Sequence, residues 1–247
     1  MWRKNLLCCA LLSSLTACET LEQKEHQADI HVQLGARYLS LGDYAAAKEN
    51  LEAAVDKNSD SIPAHISLAY LYERLNKFDD ARNHYEIVNR LDPDNLSLQN
   101  NYGRFLCDRR EFDKGIVLLE SLSKNLLDST PWVTLTNLGR CKLGVGDKAS
   151  AEKYLTTALQ QNPNYAPALL EMQKISYQNN NYQAAKDYLQ RYLAVAPQTP
   201  ETLWIAIQTE SALGNSIAVK EYTDLLLERF PFSNEAKQIK STSKRPQ

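Results

Sequence analysis

One period constrains this chain more than any other feature: it repeats itself about every 34 residues. The segment LGARYLSLGDYAAAKENLEAAV (34–55) aligns with LAYLYERLNKFDDARNHYEIVNRLDP (68–93), YGRFLCDRREFDKGIVLLESL (102–122) and LGRCKLGVGDKASAEKYLTTALQQNP (138–163). MQKISYQNNNYQAAKDYLQRYLAVAP (172–197) is a fifth copy, and AIQTESALGNSIAVKEYTDLLLERFP (206–231) a weaker sixth. With starts at 28, 62, 96, 132, 166 and 200, every interval is 34 residues except one of 36. A unit this short cannot bury its apolar face alone, so such copies must stack on their neighbours.

The positions kept within the period predict a pair of antiparallel helices per copy. Small residues recur at the eighth position (Gly35, Ala69, Gly103, Gly139) and the twentieth (Ala47, Ala81, Gly115, Ala151, Ala185), where two helices must approach closely. Large residues a few places away, such as Tyr38, Leu51, Tyr72, Tyr85, Leu119 and Leu155, fill the space around them. Gly42, Gly146 and Gly214 fall where a left-handed cap ends the first helix, with Asn76 and Asn180 as tolerated substitutes. Pro93, Pro163, Pro197 and Pro231 close the second helices, while Pro63, Pro167 and Pro200 open the next first helices. This is the signature of the tetratricopeptide repeat, or TPR. The expected fold is all-α: a right-handed α-α superhelix of about six helix-turn-helix repeats with a C-terminal capping helix. Few glycines and prolines (8 and 9 in 247 residues) agree with a helical chain.

Two irregularities stand out. LLDSTPW adds two residues between copies three and four and should lengthen one loop. In copy six, Ala218 and Tyr222 fall one place early, although Pro231 keeps the frame. The end, SNEAKQIKSTSK, reads as a brief capping helix and polar tail.

The first seventeen residues differ from everything after them. Arg3 and Lys4 precede NLLCCALLSSL, an apolar run far shorter than the roughly 20 residues a spanning helix needs. The run ends in Leu15, Thr16, Ala17 and Cys18, which resembles a bacterial lipobox, where cleavage precedes a cysteine that carries a diacylglycerol. That implies lipidation at Cys18, and acyl chains enough for firm anchoring. Glu19 rather than Asp follows the cysteine, which favours the periplasmic face of the outer membrane over the inner membrane. The expected layout is a signal segment at 1–17, a lipidated spacer at 18–27, and repeats at 28–61, 62–95, 96–129, 132–165 and 166–199. A degenerate repeat at 200–232 and a cap and tail at 233–247 complete it. Losing Arg3 and Lys4 leaves 26 basic against 30 acidic residues, a formal charge of -4, which gives no basic face for nucleic acid.

With Cys8 and Cys9 cleaved away and Cys18 acylated, two cysteines remain, Cys107 and Cys141. They occupy positions twelve and ten of neighbouring first helices. A disulfide across the irregular junction is expected if their Cα atoms come within about 7 Å; the alternative is two small buried residues.

In TPR proteins, positions two, five, six, nine, twelve and thirteen usually face a concave groove. They give Val32, Ala36, Leu39, Ile66 and Tyr70 in the first two repeats, an apolar strip. Asn100, Asn101, Arg104, Thr136, Asn137 and Arg140 follow in repeats three and four, with Lys174 and Tyr177 in repeat five. Apolar residues suit the side chains of a partner segment, Asn its backbone, and Arg a carboxylate. Val32, Ala36 and Leu39 could instead meet a helix formed by residues 19–27, and Arg104 and Arg140 could be a solvated pair. No nucleophile elbow, CxxC, HExxH or phosphate loop is present, and His26, His31, His65 and His84 lack metal-ligand spacing. The expectation is a protein that is not an enzyme and uses no cofactor, metal or small-molecule substrate.

Lipobox, short spacer and six repeats together resemble the type IV pilus pilotins, the PilF/PilW lipoproteins. NNYGRFLC (100–107) and NLGRCKLGVGDKASAEKYL (137–155), with their cysteine pair, resemble that family's central repeats. The resemblance implies an outer-membrane assembly factor that binds secretin subunits and promotes their localisation and multimerisation. The alternative is a periplasmic TPR scaffold that recruits peptidoglycan enzymes or outer-membrane assembly factors.

Overall fold

The computed structural model describes the backbone of residues 6–125 and 127–242, and side chains for residues 22–125 and 127–241. Every regular element among these residues is an α-helix. The helices are α1 (Leu6–Leu41), α2 (Tyr44–Lys57), α3 (Ile62–Arg74), α4 (Phe78–Leu91), α5 (Leu96–Asp108), α6 (Phe112–Leu122) and α7 (Pro131–Gly144). They continue with α8 (Lys148–Gln161), α9 (Ala166–Gln178), α10 (Tyr182–Val195), α11 (Pro200–Ala212), α12 (Ser216–Arg229) and α13 (Asn234–Thr242). This is the all-α TPR architecture that the 34-residue period predicts.

The turn inside each pair follows one rule. Residue fifteen of the period has positive φ in all six: Gly42, Asn76, Arg110, Gly146, Asn180 and Gly214. The next residue donates its N–H five residues back, as Asp43 does to Tyr38 O (3.0 Å) and Asp147 to Lys142 O (2.9 Å). That bond and the shorter one beside it (Gly146 N to Leu143 O, 3.0 Å) satisfy the carbonyls left open at a helix end. The same residue then starts the second helix: Asp43 and Asp147 accept from the N–H groups of Ala46 and Ser150, each at 3.1 Å. Arg110 is the position that sequence reading did not reach, because its side chain carries no hint of a left-handed backbone.

The chain packs as two units, residues 1–102 and 103–247. In the first, α1 packs on α2, α3 on α4, and α2 and α1 both touch α3. Its core is Leu51, Ala54, Leu68, Leu71, Tyr72, Tyr85 and Val88 around Ala47 and Ala81. Helix α1 runs unbroken through residues 19–27 into the first repeat, so no separate helix from that stretch folds back on Val32, Ala36 and Leu39. No helix among the described residues is long and apolar enough to cross a membrane.

In the second unit α7 packs on α8, α9 on α10 and α11 on α12, with α6 on α7, α8 on α9 and α10 on α11. The close approach that Gly139 allows is concrete: a Cβ there would lie 2.8 Å from Leu155 Cγ and 3.3 Å from Ala151 O. Leu155, Leu169, Met172 and Ile175 form the core around it, with Trp132, Tyr165 and Tyr188 packed against them. The two extra residues fall in the loop 123–130, where Asp128 accepts from Thr130 N (2.8 Å) and Thr134 Oγ1 (2.9 Å). Helix α6 is correspondingly short, 11 residues against 14 for α8. The displaced Ala218 leaves α12 with Leu226 as its one buried residue. Helix α13 covers this end through Ala236, which is buried with Leu203, Ile207 and Leu226.

Candidate functional site

In the first unit the groove positions fall into two groups. Ala36, Leu39 and Tyr70 line one open cleft of about 650 Å³, together with Ser40, Leu41, Gly42, Tyr44 and Arg74. Tyr70 and Leu41 leave 50% and 70% of their surface exposed, so the cleft presents apolar surface to solvent. Arg74 closes one side by donating from Nε and Nη2 to the Tyr44 hydroxyl at 3.2 and 3.1 Å. Val32 and Ile66 are half-buried and do not line this cleft. Leu41 and Tyr44 fall outside the groove positions, whereas Arg74, at position thirteen of repeat two, is within them.

A second cleft, in the other unit, is polar. Arg104, Asn137 and Arg140 come together there with Cys107, Asp108, Arg110, Phe112 and Glu171, around a space of about 380 Å³. Asn101 is not among them. The two guanidiniums are not a bare basic pair. Arg104 reaches Asp108 at 2.7 Å and Arg140 reaches Glu171 at 3.4 Å. An incoming carboxylate would therefore compete with an existing carboxylate at each arginine. Asp108, at position thirteen of repeat three, and Glu171, at position six of repeat five, both stand at groove positions and were within reach of the rule. Cys107 and Cys141 are disulfide-bonded in this structure, with Cα atoms 5.3 Å apart. Cys107 lines the cleft, so the bond ties α5 to α7 beside the arginines. Cys18 lies on the backbone of α1, but its side chain falls outside the described residues.

His31, His65 and His84 have packing roles. His31 Nδ1 sits 3.2 Å from Asn50 Oδ1, and the same pairing of first with second helix one repeat later joins His65 to His84, Nδ1 to Nδ1, at 2.8 Å. His65 Nε2 lies 2.9 Å from the Ser59 carbonyl, which can only accept. The network therefore assigns the proton to His65 Nε2, leaving its Nδ1 to accept from His84. His84 also stacks on Tyr72 (centroids 5.5 Å apart, planes 5° apart). Burial, and then the neighbouring His65, push the pKa of His84 down to about 4. Burial and the Glu52 carboxylate, 3.0 Å away, push the Tyr72 hydroxyl up to about 12. No group of three or more His, Cys, Asp or Glu that could hold a metal ion occurs among the described residues.

Comparison with known proteins places this arrangement. The tetratricopeptide-repeat family model matches residues 38–94 and 142–204. The type IV pilus assembly protein PilF of Pseudomonas aeruginosa is 24% identical over 233 residues, covering 94% of this chain and 92% of that protein. The crystal structure of PilW, a type IV pilus biogenesis factor, superposes with a TM-score of 0.72 at 27% identity, over 86% of this chain and 97% of that one. The structure of Pseudomonas aeruginosa PilF gives 0.68 at 24% identity, over 89% and 99%. Helix pairs, period and whole-length similarity agree, and the chain is a PilF/PilW-like tetratricopeptide-repeat protein.

Proposed function

We propose that this protein is a lipid-anchored pilotin of type IV pilus biogenesis, which binds secretin subunits and promotes their assembly at the outer membrane. The observation that carries the reading is the apolar side of the first cleft, Ala36, Leu39, Leu41 and Tyr70 beside Ser40, Tyr44 and Arg74, in a chain similar to PilF over nearly its whole length. Acylation at Cys18 would hold that cleft near the bilayer and raise its effective concentration for a tethered secretin segment. The cleft then shields the segment's apolar side chains until they insert into the membrane or pack in the ring. The polar cleft of Arg104, Asn137 and Arg140 offers amide and cation contacts to a second stretch of the same partner.

The test is a Leu39→Asp, Tyr70→Asp double variant expressed in place of the native chain. Both positions are at least partly exposed, so the repeats should keep their helical circular dichroism while secretin multimers and pilus-dependent motility disappear. Normal multimers in the folded variant would exclude the apolar cleft as the binding surface. Altered cell shape with intact pili would point instead to an envelope scaffold. A Cys18→Ser chain found free of lipid and still at the outer membrane would refute the anchoring step.

A further inference from the structure

Repeat five carries Gln173 where repeats one to four have Gly or Ala at position eight. Gln173 is 1% exposed, and its Nε2 donates to Thr209 Oγ1 at 3.3 Å. Thr209 has already committed its own proton to the Ile205 carbonyl at 2.8 Å, so its oxygen can only accept. That fixes the orientation of the carboxamide, since the flipped amide would set two acceptors face to face. Gln173 Oε1 is consequently left buried with no hydrogen-bond partner among the described residues. Such an orphan is costly and calls for an explanation.

The residue lines a cleft of about 290 Å³ whose other walls include Tyr177, Trp204 and Ile205. Lys174 and Glu201 stand at its edge, 3.5 Å apart and well exposed. The size is at the lower end of ligand pockets and suits one large anchoring side chain. The exposed wall surface is mostly apolar, with the amides of Gln178 and Gln208 also lining it, and the one buried unmet polar demand is for a single donor. Among protein side chains, indole alone joins a large apolar surface to one N–H and no acceptor.

We propose that this cleft between α9 and α11 is a second recognition site, which takes a tryptophan side chain from a partner polypeptide; on entry the side chains over buried Gln173 Oε1 move aside and that oxygen accepts the indole N–H. The site is separate from the apolar cleft of the first unit and does not depend on what that cleft binds. It gives the partner a sequence requirement that a greasy surface alone could not impose, because an apolar residue without a donor leaves Oε1 unmet.

The experiment uses the full chain in detergent with 5-fluorotryptophan incorporated, the Trp204 fluorine signal being assigned with Trp204→Phe. The probe is acetyl-Gly-Gly-Trp-Gly-Gly-amide, compared with the same peptide carrying 1-methyltryptophan. We expect a saturable shift of the Trp204 signal, with the methylated peptide binding about tenfold more weakly. Gln173→Met, which keeps the bulk and removes the acceptor, should bring the two peptides to equal affinity. A Trp204 signal that does not move, or equal affinities in the native chain, would overturn the proposal. If Gln173→Met unfolds, the native-chain comparison still decides it. Leu39→Asp with Tyr70→Asp should leave the titration unchanged, so the outcome is independent of the pilotin reading.

Discussion

Consider what the Cys107–Cys141 bond is worth. It closes a loop of 34 residues between adjacent repeats. In the chain-entropy description, a loop of that size removes about 13 cal/mol/K from the unfolded ensemble, or roughly 4 kcal/mol at 25 °C. The chain should be refolded from denaturant with and without reductant, since both sulfurs are buried (Cys107 8% and Cys141 1% exposed) and resist reduction in the folded state. Urea titrations followed by circular dichroism should then give a clearly lower midpoint for the reduced chain. Its transition should also be steeper, because the reduced unfolded ensemble is more expanded and exposes more surface. Hydrogen exchange localises the effect. Contacts in a repeat array are mostly between neighbours, so amides of α5 and α7 should lose protection by a factor of roughly 10²–10³ while those of α3 and α4 change far less. Coincident urea midpoints in the two redox states would refute the argument, and a uniform loss of protection would refute its local form.

Arg110→Gly should stabilise the chain by about 1 kcal/mol, because it relieves a left-handed residue at φ 63 and leaves its side chain's cleft otherwise intact; a lowered denaturation midpoint would contradict this. Gly139→Val should cost about 1–3 kcal/mol by overpacking against Leu155 and Ala151, read from the same titration. Glu210, 4% exposed, meets Lys186 at 2.9 Å and Asn215 at 2.8 Å, so Glu210→Ala should cost about 3 kcal/mol by stranding the ammonium. His84 makes stability fall with acid. Its folded pKa lies near 4 against 6.5 when unfolded, so the unfolded chain takes up the proton first and stability drains as pH falls from 6.5 to 4. Because the ring is only half-buried, the loss should be about 1 kcal/mol, and His84→Asn should remove that share of the slope between pH 7 and 5.

The helix pairs were legible because each depends on local chemistry. Gly42, Gly146 and Gly214 mark left-handed caps by lacking a Cβ, and Asn76 and Asn180 by their short polar side chains. Arg110 adopts the same backbone without either excuse; only the frame of the repeat could have pointed to it. Ala36, Leu39 and Tyr70 line one cleft because groove positions are fixed by helical spacing. Leu41 and Tyr44, the last residue of α1 and the first of α2, flank the turn, where spacing rules stop. Ion pairing was the least visible. Asp108 lies one helical turn beyond Arg104, a pairing open to any surface helix, while Glu171 reaches Arg140 from the next repeat's first helix. Both carboxylates stand at groove positions, thirteen and six, but position alone does not say which cation each one meets. Gln173 was passed over because a buried amide at a small-residue position looks, in sequence, like ordinary polar surface.

At the turn within each pair, one residue both ends the incoming helix and begins the outgoing one. Asp43, Asp147, Asn181 and Asn215 perform both tasks with adjacent groups, so the elbow has no slack. An inserted residue there would misplace a cap and a helix start at once. The connection 123–130 has no such double duty, and it is where the extra length is found. Added length is therefore accommodated at a joint between hairpins and not at an elbow, and a lengthened joint can re-aim the surfaces on either side of it.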